Sequence, residues 1–245
     1  MLLDEQMRRA GERLFRWRSF ALLGFLPLVA LAVHAGEPIE RAVGAFWGDL
    51  FEAACVALVL VGLALRAATV GFVPSKTSGR NTQGQVARSL NITGLYALTR
   101  NPLYLANCAI YLGVVLYTQD LMLALAVALF LAVYYERIIL AEEAFLAARF
   151  GDDYRAWAAE VPVFLPRRRG WRAPALAFSF RTVLRREYPT WLGAAVALTV
   201  IGQAADWSGG DPDEPWRLIA ALAVAGYLAL HVLNRRSRLL RVPGR

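Results

Sequence analysis

Residues 120–143 read DLMLALAVALFLAVYYERIILAEE. No charge interrupts the run from Leu121 to Tyr135, after which Glu136 and Arg137 precede Ile138-Ile-Leu140 and then Glu142-Glu143. One bilayer crossing needs about 20 predominantly apolar residues, so 120–140 reads as a transmembrane helix. Its far end carries charges, which are costly at membrane depth and tend to face a partner or a wet cavity. Glu136, Leu140 and Glu143 fall on one helical stripe by their spacing. A plainer arrangement pairs Glu136 with Arg137 and leaves the glutamates below in solvent.

Outward from this stretch the same character repeats. Of 245 residues 58% are hydrophobic and only 19% charged, with mean hydropathy +0.42. Soluble domains run nearer half apolar and a quarter charged. The excess is gathered into runs at roughly 19–35, 50–73, 102–118, 120–140, 190–205 and 216–234. The expected fold is therefore an all-α integral membrane protein with about six transmembrane helices, a single polytopic domain over 1–245. Thr118-Gln-Asp120 alone separates the third and fourth runs, which requires an antiparallel helical hairpin. A cleavable signal peptide would also begin with arginines and an apolar stretch. The 18-residue charged leader and the lack of a small-x-small cleavage site favour a membrane anchor.

Basic residues set the orientation. Arg8, Arg9, Arg13, Arg16 and Arg18 precede the first span; Lys76, Arg80, Arg88 and Arg100 lie between the second and third. Arginines from Arg149 to Arg186 crowd the segment between the fourth and fifth, and more follow the sixth. The alternate loops hold Arg41 and, at an edge, Arg217, while Asp206 to Glu214 is acidic. Both termini are thus expected in the cytoplasm. Arg66, within the second span toward its inner end, reads as a snorkelling side chain. The net charge of +8 then follows from a basic inner surface facing anionic lipid, and no recognised module argues for nucleic acid. Cys55 and Cys108 read as small core residues, and His34 and His231 form no metal-ligand pattern.

Two cytoplasmic segments, 74–101 and 141–189, are too long and too patterned for simple connectors. They flank the hairpin on one side of the membrane and so can meet. The first ends Thr99-Arg-Asn-Pro-Leu-Tyr104. Asn followed by Pro is a helix start, with Asn101 as the cap and Pro102 at the first helical position. Free amides and a positive dipole end beside Arg100 would favour an anionic group.

These segments resemble the isoprenylcysteine carboxyl methyltransferase and phospholipid methyltransferase superfamily. The matching residues are Gly94-Leu-Tyr96, Arg100-Asn-Pro-Leu-Tyr104 and Gly113, then Glu142-Glu143, Phe150-Gly-Asp-Asp-Tyr154 and Val161-Pro-Val-Phe-Leu-Pro166. They cover about a third of the chain, in order. The resemblance implies a methyltransferase core at about 74–189 and S-adenosylmethionine as donor, held on the cytoplasmic side without a glycine-rich dinucleotide fingerprint. It assigns the donor to Gly94, Tyr96, Arg100, Asn101, Pro102, Tyr104, Glu142 and Glu143, with Arg88 and Leu90 upstream. Arg100 and the helix start would take the donor's carboxylate, the glutamates its ammonium, and Tyr96 or Tyr104 its sulfonium or adenine. Many members carry His where Asn101 stands, so no titrating imidazole is available there. Arg137 and Glu142 are the expected catalytic residues; family members have an acceptor-side arginine near Arg137, offset by one position. No metal is expected.

Thr77 to Thr82 and Trp171 to Tyr188 look like a bacterial branch associated with methylation of the lipid A 1-phosphate. That implies a lipid acceptor in the bacterial inner membrane, with the site facing the cytoplasm and Arg167, Arg168, Arg169, Arg172, Arg185 and Arg186 compatible with a phosphorylated lipid. N-methylation of phosphatidylethanolamine and carboxyl methylation of a prenylcysteine are the rival chemistries. A small transporter or scaffold is the alternative without catalysis, but transporters place ionisable residues near the midplane and show repeated halves.

Overall fold

A computed structural model describes residues 2–18, 20–74, 87–209 and 214–244; for 205–209 and 214–216 only the backbone course is described. The Thr77–Thr82 stretch, with Lys76 and Arg80, lies outside the described residues, as does part of the acidic loop after Asp206. The described residues are helical, with no strand among them.

The helices are α1 (Leu3–Trp17), α2 (Leu26–His34), α3 (Pro38–Val43), α4 (Ala45–Phe72), α5 (Pro102–Leu116), α6 (Leu121–Glu160), α7 (Phe180–Gly209) and α8 (Glu214–Arg236). Short 3-10 turns occupy Ala21–Phe25 and Gly94–Ala97. Among the described residues four helical stretches are long and apolar enough to cross a membrane: Ala21–Val43, Ala45–Phe72, Leu121–Glu160 and Arg217–Arg236. α5 is apolar but has only 15 residues. The first stretch is interrupted rather than continuous, because α2 ends before Gly36 and Pro38 restarts the chain as α3.

α5 and α6 form the expected antiparallel hairpin around Tyr117 to Asp120, where the Asp120 carboxylate caps α6 by accepting from the Leu123 amide at 2.9 Å. Gln119 takes a positive φ of 59° in this turn and is buried, its amide oxygen accepting from the amides of Ile39 and Glu40. α4 packs along α5 at close range. A Cβ added at Gly62 would meet the Ala106 carbonyl oxygen at 2.7 Å, so a glycine is what permits the two backbones to approach.

α6 has 40 residues and at 1.5 Å per residue runs about 60 Å, twice a bilayer's hydrocarbon thickness. Its apolar part, 121–141, accounts for the crossing, and the charged remainder extends past the membrane. Gly151 breaks the helical path with φ 58° and ψ −128°, a backbone region that costs a side-chain-bearing residue.

The N-terminal leader is itself a packed helix. α1 lies against the lower half of α6, burying Phe15 and accepting the Tyr134 hydroxyl at the Leu14 carbonyl, 2.8 Å away. Phe15, Tyr104, Tyr134, Tyr135 and Ile138 share one core cluster. Cys55 is buried and both cysteines are free.

Arg66 corrects the snorkelling expectation. Its guanidinium donates to the Glu187 carboxylate of α7 and to the Asn107 side-chain oxygen of α5. It therefore ends in a polar cluster between three helices.

Candidate active site

The two segments that flank the hairpin do meet, through a ladder of backbone bonds. The Gly94 amide donates to the Arg172 carbonyl at 2.8 Å, the Arg100 amide to Pro162 at 2.9 Å, and the Arg167 amide to Leu98 at 3.0 Å. Thr99 adds its hydroxyl to the Phe164 carbonyl at 2.8 Å, and the Arg167 guanidinium reaches the Ala97 and Glu160 carbonyls. The ladder fixes the loop that leads into α5.

At that entrance Asn101 does not cap as its type suggests. It occupies the cap position with Pro102 at the first turn, but its side chain makes no cap hydrogen bond. The Asn101 amide nitrogen instead donates to the Val163 carbonyl at 2.9 Å. The competing partner is a loop carbonyl 62 residues away, which local pattern could not reveal.

Arg100 and Glu143 form an ion pair at 2.7 Å, both largely shielded from solvent. The Arg100 Nε is buried and has no hydrogen-bond partner among the described residues, and the same holds for the indole nitrogen of Trp157. Tyr154 hydrogen-bonds Arg100, and burial holds its phenol up at about 12. Burial also raises the Glu143 carboxyl, opposed by the Arg100 charge.

One residue earlier, Glu142 stands in a drier place. Burial pushes its carboxyl up to about 7, against a hydrogen bond from the Tyr104 hydroxyl and the attraction of Arg18. Arg18 follows the last residue of α1 and lies over the Phe15 ring at 3.9 Å. No motif singled it out: its place here depends on α1 packing on α6. Tyr104 is buried and its ring lies 4.7 Å from that of Tyr135.

A cavity of about 240 Å³ lies between α4 and the segment that leads into α5. Thr69 and Phe72 of α4, Leu90, Gly94 and Tyr96 line it, with Leu176 across from them. Tyr96 and Leu90 also pack against the Tyr154–Trp157–Val161 cluster, which links the cavity to Arg100 through Tyr154. Leu90, Gly94 and Tyr96 thus form one group, and Arg100, Tyr104, Glu142 and Glu143 another next to it. Arg88 is exposed and shares in neither. Arg137 pairs with its neighbour Glu136 at 3.3 Å, and its carbonyl lies against Gly11 of α1.

Comparison with known proteins bears on this region. Residues 50–153 match the family model for phospholipid methyltransferase. The match takes in most of α4, all of α5, α6 as far as Asp153 and both glutamates, and it supports the methyltransferase superfamily read from the motifs. The chain is 34% identical over 84 residues to the cobalt-zinc-cadmium resistance protein CzcN of Cupriavidus metallidurans, which covers 34% of this chain and 38% of that protein. It is 34% identical over 124 residues to the nickel-cobalt-cadmium resistance protein NccN of Alcaligenes xylosoxydans xylosoxydans, covering 49% and 54%. The chain thus spans about half the length, or less, of these curated relatives. No solved structure matches it significantly.

Proposed function

We propose that this chain is an S-adenosylmethionine-dependent membrane methyltransferase that methylates an oxygen of a lipid-embedded acceptor, with the lipid A 1-phosphate as first choice. The observation that carries the reading is the Arg100–Glu143 pair, with its unpartnered buried Arg100 Nε, set beside Glu142 and an apolar cavity at the end of a membrane helix. An amino-acid zwitterion suits that pair: its carboxylate replaces Glu143 on Arg100, and its ammonium takes up the freed glutamate. The Arg100 Nε and the amides at the start of α5 supply further donors to the carboxylate. Leu90, Gly94 and Tyr96 offer an apolar wall for an adenine ring.

The bound donor supplies an electrophilic methyl group whose leaving sulfur keeps the bond's electron pair. A phosphate oxygen that is already anionic needs no base to attack it, so the protein's task is alignment and exclusion of water. Glu142 holds charge in a dry place, and Arg137 is proposed on the acceptor side, exchanging Glu136 for the acceptor's anionic group. Its planar fork matches two phosphate oxygens. The arginine-rich face at 167–172 and 185–186 supports a phosphorylated lipid.

Six spans with both termini in the cytoplasm, in a bacterial inner membrane, remain part of this reading. They rest on the distribution of arginines. The relatives are named for metal resistance. What favours methyl transfer for this chain is the match of residues 50–153 to the phospholipid methyltransferase model.

The decisive experiment is calorimetric titration of S-adenosylmethionine into detergent-purified protein, followed by transfer from radiolabelled donor and separation of lipid classes. Saturable donor binding and label in lipid A are expected. Label in phosphatidylethanolamine or a prenylated peptide would move the acceptor to a rival chemistry, and absence of donor binding would sink the reading. Cysteines placed at Ala35 and Gly170 should label from opposite sides of the membrane; labelling from one side would overturn the topology.

A further inference from the structure

The polar cluster around Arg66 lies deeper than the candidate donor site and is not explained by it. Glu187 is 1% exposed, and both of its oxygens accept from Arg66, at 2.7 and 3.2 Å. Arg66 also donates through Nη1 to the Asn107 side-chain oxygen. Taking two charges out of water is expensive, and such pairs often add little stability over apolar replacements. Their value lies in fixing what surrounds them.

Here the chemistry fixes a direction. A guanidinium only donates, so the oxygen of the Asn107 amide must face Arg66. Its NH2 then faces the other way, where it meets the Tyr135 hydroxyl. Tyr135 is buried, and its ring lies 4.7 Å from that of Tyr104 with a tilt of 33°. Tyr104 in turn hydrogen-bonds Glu142. A continuous path therefore runs from α7 through α4 and α5 to α6, back to α5 and again to α6: Glu187, Arg66, Asn107, Tyr135, Tyr104, Glu142.

We propose that Glu187 is a positioning residue for the donor-side glutamate: by fixing Arg66 and Asn107 it locks Tyr135, and with it the Tyr104 ring whose hydroxyl bonds Glu142. α7 lies beyond residues 50–153, so a helix outside the family match completes the site inside it. The inference rests on the proposed donor site only for the meaning of Glu142, not for the path. The groups facing Glu142 are Arg18 from α1, Tyr104 from α5 and, on α6, Tyr154, which feels its charge. Arg100 and Glu143 form the adjoining pair. Of these only Tyr104 leads back to Glu187 along the path.

Glu142 ionisation is read directly in ligand-free protein as the infrared carboxyl band that disappears in Glu142→Gln. Tyr104 donates to the ionised carboxylate, so loosening Tyr104 must raise the pH at which the band is lost. Removing the pair with Arg66→Met/Glu187→Leu should raise that midpoint by about half a pH unit, in the same sense as Tyr104→Phe. Asn107→Ala, which leaves the pair in place and cuts the path, should do the same and serves if the double variant does not fold. Adding Asn107→Ala to Tyr104→Phe should change the midpoint no further. A lower melting temperature with an unmoved midpoint would make the pair merely structural and overturn the inference. Additive shifts in the combined variant would remove Tyr104 from the path and overturn it too. Wild-type protein that binds no S-adenosylmethionine would defeat the donor reading instead, and the band would still report the path.

Discussion

Two junctions hold this molecule together, and they do so by different means. Segments 94–101 and 162–172 are laced by amides, carbonyls and a few side chains at the membrane surface. α7 meets α4 and α5 within the helix packing, where one buried carboxylate grips one guanidinium. The laced junction spreads its cohesion over many weak bonds, each worth about 1 kcal/mol net, so it tolerates single losses. The other junction sets one buried pair into an apolar seam of Val59, Ile110, Ala194 and Leu198, and breaking one partner of the pair leaves the other charge stranded. Water accounts for the contrast. Near the surface a lost bond is replaced by solvent, whereas a polar group buried among packed helices must find its partner within the protein.

Arg100 stands where the laced junction meets the candidate site, and it should give the largest effect on ligand binding. Its amide is part of the ladder, which Arg100→Ala preserves, while the guanidinium that pairs with Glu143 is lost. Losing a charge-assisted contact costs about 1.5–3 kcal/mol, or roughly tenfold or more in affinity. Calorimetry should show that loss for S-adenosylmethionine with expression and melting temperature near wild type. Unchanged affinity would make Arg100 part of the lacing alone.

The two junctions also differ in how well the sequence exposes them. The α5–α6 hairpin follows from a three-residue connector between apolar runs, and the meeting of the two segments that flank it follows from the expected topology plus the motifs at Gly94–Tyr104 and Val161–Pro166. Arg100, Tyr104, Glu142 and Glu143 come together as those motifs imply. Asn101 kept its position and changed its partner, because a carbonyl from Val163 outcompeted the helix end. The ionic junction was hidden: an arginine near the end of a span has a sufficient local explanation in snorkelling, and its partner lies 121 residues away. Arg18 was hidden for the same reason, since only the packing of α1 against α6 brings it to Glu142. Long-range pairing between isolated charges leaves no periodic trace along the chain.

pH offers a gentler probe of the same site. Burial places Glu142 at about 7, above its ordinary range, so lowering the pH from 8 to 6 converts it from mostly ionised to mostly neutral. A neutral carboxyl no longer attracts an ammonium. Donor affinity should therefore fall as pH falls through 7, by up to about tenfold over that interval, since each pH unit below the midpoint costs up to about 1.4 kcal/mol. Glu142→Gln should bind more weakly at pH 8 and show a nearly flat profile. A wild-type profile just as flat would mean that Glu142 does not touch the donor.

Arg137 separates the site from its surroundings by the smallest expected effect. It sits on α6 between Tyr135, which belongs to the buried path, and the glutamates of the donor site, yet its contacts are Glu136 and the backbone of α1. Exposed pairs of that kind contribute little to stability, so Glu136 can release it at low cost. On the proposed reading it then takes the acceptor's anionic group, which wants two parallel donors rather than a single point charge. Lysine keeps the charge and loses the fork. Arg137→Lys should therefore bind S-adenosylmethionine as wild type does and lose most turnover, about fivefold, equivalent to roughly 1 kcal/mol in the barrier. The measurement is transfer of labelled methyl to lipid under saturating donor, with melting temperature as the control. Wild-type turnover in the lysine variant would leave Arg137 as the surface partner of Glu136, and would shift the search for the acceptor's anchor to the arginines between 167 and 186.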